Sequence, residues 1–223
     1  MYSRGELESR VNALPWFHQI DFGNGIISPG VTPLKVLKAQ ADVYFSRSIA
    51  GKSVLDVGCW DGFNSFEAKR RGARRVLATD HFTWSDIGWG KRESFDLARS
   101  VLCPDVEVMD IDLPEISEKT VGRFDVVLFL GVLYHLPNPF AGLQIAASVC
   151  DEWIVIETHL DALHVRQPAA IFYTDGHAGD WTNFWGPNPA CVTGMMHRLK
   201  FDCEHLPHPV HKNRGIFFAT RRR

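Results

Sequence analysis

Asp56, Gly58 and Gly62 close an apolar run, SVLDVGCWDG over residues 53–62, and Asp80 closes the next one, RRVLATD, 24 residues further on. Two glycines four apart let a backbone come close to a ligand and turn sharply from a strand into a helix. A carboxylate at the end of the following strand suits two vicinal ribose hydroxyls, because it accepts both hydrogen bonds. A pyrophosphate site uses GxGxxG at a helix N-terminus. This chain instead has GxxxG preceded by Asp56, and an added carboxylate repels a diphosphate. The set suits a nucleoside that carries positive charge. A plain glycine-rich turn has the same residue types, so the weight rests on the placing of Asp80.

Histidines bring the second chemistry. An imidazole with an ordinary pKa of about 6.5 accepts a proton at neutral pH. His135 follows the apolar run FDVVLFLG by four residues, His18 lies in the aromatic stretch PWFHQIDFGNGIISPG, and His159 with Asp161 leaves another apolar run in ETHLDA. Each is a candidate base or substrate contact, and each has a structural alternative, a ring that holds a loop carbonyl. The stretch IFYTDGHAGDWTNFWGPNP is the candidate for substrate recognition. Trp181 and Trp185 can stack on a planar or sugar ring. Tyr173, Asp175, His177, Asp180 and Asn183 offer polar contacts. A packed aromatic loop without a ligand is the alternative. The spacing of these acids and histidines matches no metal-ligand pattern, and no metal is expected.

The elements that must position these groups can be read from the same pattern. Apolar strand-like runs alternate with helix-like segments. Strands are expected at SVLDVG, RRVLATD, VEVMDIDL, FDVVLFLG, EWIVIETHL, DCEHL and NRGIFFATR. Helices are expected at ELESRVNAL, PLKVLKAQADVYFSRSI, FNSFEAKRRG, residues 91–101, PFAGLQIAASVC and CVTGMMHRLKF. PWFHQIDFGNGIISPG reads as an ordered loop or short hairpin, and Trp153 as core. Fully apolar strands alternating with helices imply an α/β fold, a mostly parallel seven-stranded sheet with an antiparallel edge strand.

The chain has 223 residues, 45% of them hydrophobic, and a formal charge of -2. That suits a single domain over 1–223 and gives no electrostatic case for nucleic acid. Within it, residues 1–50 form N-terminal helices and a lid loop, 51–160 a ligand-binding core, 161–190 an insertion, and 191–223 a C-terminal helix and edge strands. No apolar run approaches the roughly 20 residues that span a bilayer. The polar start MYSRGELESR is not expected to be a secretory signal. RRR at 221–223 reads as a solvated tail. Five scattered cysteines, none spaced as CxxC, point to a reducing cytoplasm.

LDVGCWDG with Asp80 resembles the class I methyltransferases that use S-adenosylmethionine (SAM), a nucleoside with ammonium and sulfonium charges. The resemblance is strong over residues 50–160 and implies a Rossmann-like fold. It implies cofactor contacts at Asp56, Gly58, Cys59, Gly62, Asp80, His81, Asp110, Ile111, Leu130 and Tyr134, with Asp112 and Gly131 nearby. For methyl transfer the candidate catalytic residues are the histidines read above, His135, His18 and His159. GVLYHLPNPF, WFHQIDFGNGIISPG and DWTNFWGPN resemble a narrower group, that of the tRNA wobble-uridine carboxymethyltransferases, which are longer at the N-terminus and use carboxy-SAM. Residues 15–30 here contain no Lys or Arg, so plain SAM is expected rather than carboxy-SAM. The expected activity is methyl transfer to oxygen or nitrogen of a small metabolite, by a monomer or homodimer away from membranes. The alternatives are tRNA modification and a non-catalytic SAM-binding partner protein.

Overall fold

Val54, Leu55 and Val57 leave no solvated face on the strand they form, and such a strand needs helices above and below it. The computed structural model describes residues 2–85, 88, 89 and 91–222. The chain divides into two compact units, Met1–Asp112 and Leu113–Arg223. Seven strands belong to one mixed sheet, three from the first unit and four from the second.

The first unit begins with helix α1 (Arg4–Ala13). Ser3 and Glu6 cap it reciprocally, the Ser3 hydroxyl accepting from the Glu6 amide and the Glu6 carboxylate from the Ser3 amide. Strands β1 (Asp21–Gly23) and β2 (Ile26–Ile27) form a short hairpin turned by Asn24 and Gly25, both at positive φ. Helix α2 (Leu34–Tyr44) buries Leu37, Ala41 and Tyr44. Then β3 (Ser53–Val57), α3 (Phe63–Arg70), β4 (Arg75–Asp80), α4 (Arg92–Leu102) and β5 (Glu107–Asp110) alternate, with the strands parallel. Register pairs Val57 with Thr79 and Asp80 with Asp110, so the acids and glycines of interest share the carboxyl ends of the three strands.

In the second unit β6 (Phe124–Leu130) runs into a single 3-10 turn at Leu133–His135, and α5 (Pro139–Ser148) follows, capped by Asn138. Strand β7 (Cys150–His159) is parallel to β6. Strands β8 (Ala170–Phe172) and β9 (Trp185–Pro187) make an antiparallel pair that begins and ends the 171–185 loop. Helix α6 (Pro189–Arg198) starts at Asn188, whose buried amide also binds the carbonyls of Val165 and Gln167. Strand β10 (Phe201–Pro207) turns back into β11 (Arg214–Arg221), since a connection of six residues allows a hairpin and no crossover. β11 lies antiparallel to both β10 and β7. The reversed strand is therefore second from the end, with the partly exposed β10 outside it.

The 161–189 stretch, read as polar and aromatic, holds two short strands. β8 and β9 escaped notice because each has three residues, and β8 is exposed at all of them, so neither carries a hydrophobic period. The expectation of a solvated tail at 221–223 needs correction at Arg221. Arg221 ends β11 and donates to the carbonyls of Ala147 and Cys150, and Arg222 pairs with Asp202. Arg223 lies outside the described residues. Trp153 packs in the core as expected.

Candidate functional site

In the first unit the turn after β3 is built by backbone. The amides of Gly58 and Cys59 both donate to the Thr79 carbonyl, at 2.8 and 3.0 Å, and Gly62 N–H donates to the Cys59 carbonyl. Gly58 and Gly62 have φ of +73° and +87°. A Cβ on Gly62 would lie 2.7 Å from the rings of Phe66 and Phe95, so glycine is needed there on two counts. Trp60 sits between them at φ +51°, a left-handed conformation that costs a non-glycine residue about 1–3 kcal/mol.

Asp80 holds that conformation in place. One carboxylate oxygen accepts from the Trp60 amide at 3.0 Å, and the other accepts from His81 and Thr83 at 2.8 and 3.0 Å. Burial raises its pKa, and these N–H bonds work against the rise. The carboxylate expected to take two ribose hydroxyls already carries three backbone bonds, which leaves room for one more strong one. Asp56 is 2% exposed and accepts from the Ser65 hydroxyl at 2.6 Å. Burial raises its pKa to about 6, with Ser65 and His18 opposing, so it is chiefly ionised at neutral pH. His81 Nδ1 lies 2.8 Å from Asp110 across the ends of β4 and β5, and Ile111 N–H donates to the Asp80 carbonyl. Cys59 is a buried, free thiol.

The sequence reading missed Asp61. Its carboxylate is buried and accepts from the amides of Phe17 and His18 at 2.8 and 2.7 Å. Phe17 stacks on Trp60, centroids 4.1 Å apart and planes 10° apart. The aromatic N-terminal loop is thereby fastened onto the glycine turn. His18 Nδ1 comes within 3.3 Å of Asp61 but makes no hydrogen bond. The available signal was an acid inside the glycine motif, which the motif itself does not call for.

The second unit holds three side-chain groups. Tyr134, on the turn after β6 that Leu130 ends, receives a bond at 3.2 Å from Arg214 Nη2, and the guanidinium lies over its ring. Arg214 is held by both oxygens of Glu157. Burial raises the Tyr134 pKa. His208 accepts from the amides of Val210 and His211 through Nδ1, and burial pushes its pKa down to about 4. The next group is His135. Its Nδ1 is 3.1 Å from the Thr182 carbonyl and 2.9 Å from the Thr182 hydroxyl, which also bonds Asp180 at 2.7 Å. Burial lowers its pKa. In the third group His159 Nε2 is 3.0 Å from the Tyr173 hydroxyl, which donates to Asp161 at 2.7 Å. His177 stacks on Tyr173. Burial lowers the His159 pKa, and the Tyr173 bond lowers that of Asp161.

Of the other substrate candidates, Asn183 donates to the His177 carbonyl while its own buried Oδ1 has no partner. Trp185 packs against Phe172 and donates to the Pro137 carbonyl. Trp181 is 67% exposed and Asp175 is exposed. Among the described residues, no group of three His, Cys, Asp or Glu is arranged to hold a metal.

Known proteins resemble the chain as follows. A family described as a methyltransferase domain matches residues 37–206. A tRNA U34 carboxymethyltransferase of Citrifermentans bemidjiense is 33% identical over 164 residues, covering 70% of this chain and 46% of the relative. A ubiquinone biosynthesis O-methyltransferase of Dechloromonas aromatica is 36% identical over 102 residues, 46% of this chain and 41% of the relative. The chain thus spans less than half the length of either. The crystal structure of the N-terminal domain of EvdMO1 with SAH bound has a TM-score of 0.74 at 20% identity, covering 100% of this chain and 98% of that one. This last likeness is one of fold.

Proposed function

The chain belongs to the methyltransferase-domain family, and on that premise we propose that it moves a methyl group from SAM to an oxygen or nitrogen of a small acceptor. One observation carries the reading, the glycine turn of the first unit with an ionised, buried Asp56 behind it and Asp80 at its side. An anion fixed under such a turn favours an ammonium or sulfonium ligand over a diphosphate. Asp80 has capacity for a ribose hydroxyl, and Asp110, Ile111 and Asp112 at and just past the end of β5 are our candidates for the adenine.

Methyl transfer is an in-line displacement. The acceptor's lone pair forms a bond to the methyl carbon as the carbon–sulfur bond breaks, the sulfonium becomes a thioether, and the acceptor sheds a proton. His135 is our choice for the base that takes it, since burial keeps the ring neutral at neutral pH. His159 and His18 follow, and His18 serves better as part of a loop fastened by Asp61.

The acceptor side belongs to residues 161–190, which carry three Asp and one Arg, a poor surface for a phosphate backbone. Asn183 Oδ1 calls for an N–H or O–H donor. Both favour an uncharged or cationic acceptor with hydroxyl or amino groups, with Trp181 available to stack. The five unbridged cysteines fit a reducing compartment, and no described helix is long and apolar enough to cross a membrane, so we place the chain in the cytoplasm. A second reading is carboxymethyl transfer to a tRNA wobble uridine, as the name of the Citrifermentans relative states for that protein. Its supporting contact is Arg214 at the Tyr134 hydroxyl, a cation outside the 15–30 segment where one was sought. Glu157 already occupies that guanidinium.

Calorimetry with SAM, followed by transfer of a labelled methyl group to a panel of hydroxylated and amino acceptors with tRNA as a separate arm, tests the proposal. SAM binding with label on a small acceptor is expected. Failure to bind millimolar SAM overturns it, and label on tRNA alone moves the assignment to the second reading.

A further inference from the structure

We propose that Thr182 and Asp180 are positioning residues, which hold the His135 ring with its proton on Nδ1 and its lone pair on Nε2. The inference rests on the reading of His135 as the base and names what keeps that base usable.

The direction of each hydrogen bond follows from the chemistry of its partners. His135 Nδ1 lies 3.1 Å from the Thr182 carbonyl oxygen, which can only accept. It also lies 2.9 Å from the Thr182 hydroxyl. That hydroxyl stands 2.7 Å from Asp180 Oδ1, and an ionised carboxylate can only accept, so the hydroxyl proton goes to Asp180 and its lone pair faces the ring. Two acceptors thus face Nδ1. The ring nitrogen there must carry the hydrogen, and in the neutral imidazole the lone pair is left to Nε2.

Asp180 does more than orient one hydroxyl. The same Oδ1 accepts from the Thr182 amide at 2.8 Å, which closes a tight turn and sets the Thr182 carbonyl. His177 and Asp180 exchange backbone bonds at 3.0 and 3.1 Å, and Phe184 N–H donates to the Tyr134 carbonyl at 2.9 Å. The 174–184 loop, closed on itself by those bonds, therefore holds the turn that carries His135 at Thr182 and at Phe184. The charged and titratable groups acting on the ring are Asp180, which favours its protonation, Arg214, which opposes it, and the adjoining Tyr134.

The experiment is long-range proton–nitrogen NMR of the imidazoles in the full-length, ligand-free protein above pH 7, with kinetics alongside. The parent is expected to show the Nδ1–H pattern at His135. In Asp180→Ala the Thr182 hydroxyl loses its acceptor and can turn its proton toward the ring, so Nε2–H signal should appear. There kcat should fall about ten- to hundredfold while the Kd for SAM stays within about twofold. Thr182→Val should lose kcat likewise, Thr182→Ser should restore it, and this pair serves if Asp180→Ala does not fold. An Nε2–H ring in the parent, or variants with the parent's spectrum and kcat, overturns the proposal. His135→Ala separates the two readings. Undiminished turnover there, with the Nδ1–H signal present in the parent, removes the base and leaves the tautomer lock standing.

Discussion

Asp56 shows how one buried carboxylate can set stability against ligand binding. Its pKa in the fold is about 6, above the ordinary 3.9 of an unfolded chain. A raised acid favours the fold fully below about pH 4, and that advantage drains away as pH climbs through 6. Asp56→Asn should therefore unfold at higher denaturant than the parent at pH 8, by up to about 3 kcal/mol, and match it near pH 4, while binding SAM more weakly. Equal denaturation midpoints at pH 8 would remove the linkage. Asp80 is shifted in the same direction by burial, against three N–H bonds that favour its charge. Asp80→Ala should weaken SAM at least tenfold in calorimetry, each charge-assisted bond being worth about 1.5–3 kcal/mol; an unchanged Kd in a folded variant sinks the ribose assignment. His135 titrates below its ordinary value because it is buried. With the neutral ring as the active form, kcat should rise through an apparent pKa below about 6.5 and be level by neutrality. His135→Ala should lower kcat by about 10² to 10⁴, and a loss under threefold makes the residue structural.

The elements that matter most are short. The loop over residues 16–20 is tied to the glycine turn by Asp61, through two backbone amides and the Phe17–Trp60 stack. Asp61→Ala strips partners from two amides, each worth about 1–3 kcal/mol when left unpaired. The midpoint of denaturation should drop, and amide exchange at Phe17 and His18 should accelerate well ahead of β3. Protection that persists at those two amides would mean that something else anchors the loop. Gly62→Ala meets a left-handed φ and two phenyl rings at 2.7 Å, so it should disturb α3 at its first turn rather than merely stiffen it. In the second unit the 174–184 loop has the matching role, gripping the His135 turn from outside the sheet.

At the scale of the whole molecule, charge separates the competing functions. The chain carries a formal charge of -2, and residues 161–190, the proposed acceptor segment, are acidic. Binding to tRNA depends on released counterions and so on a basic face. A gel-shift titration should find tRNA association weak at low salt and gone at physiological salt. Competition between SAM and carboxy-SAM asks the same question of the cofactor. With Arg214 committed to Glu157 and no cation in residues 15–30, plain SAM should bind at least as tightly; a hundredfold preference for the carboxylated form would restore the wobble-uridine reading.

The amino-acid sequence by itself determined the alternating elements, the glycine turn and the acids that end β3, β4 and β5. Each of these is written in a few consecutive residues: a period of apolar side chains, a glycine where φ must be positive, an acid at the end of a run. The same local code pointed to His135, Tyr173 and Asn183 as residues worth watching. It could not pair them. Asp61 finds Phe17 across 44 residues, His135 finds Thr182 across 47, and Arg214 reaches Tyr134 across 80. No periodicity carries such information, because those partners meet only after the strands have taken their register and the loops between them have closed. The β8–β9 pair was hidden for a related reason: strands of three residues are too short to show a hydrophobic period, and Phe172 and Trp185 meet only once the strands pair. Which acid holds which amide, and which nitrogen of a histidine keeps its lone pair, are decided by tertiary packing, where a buried donor or acceptor must find its partner wherever in the chain that partner lies.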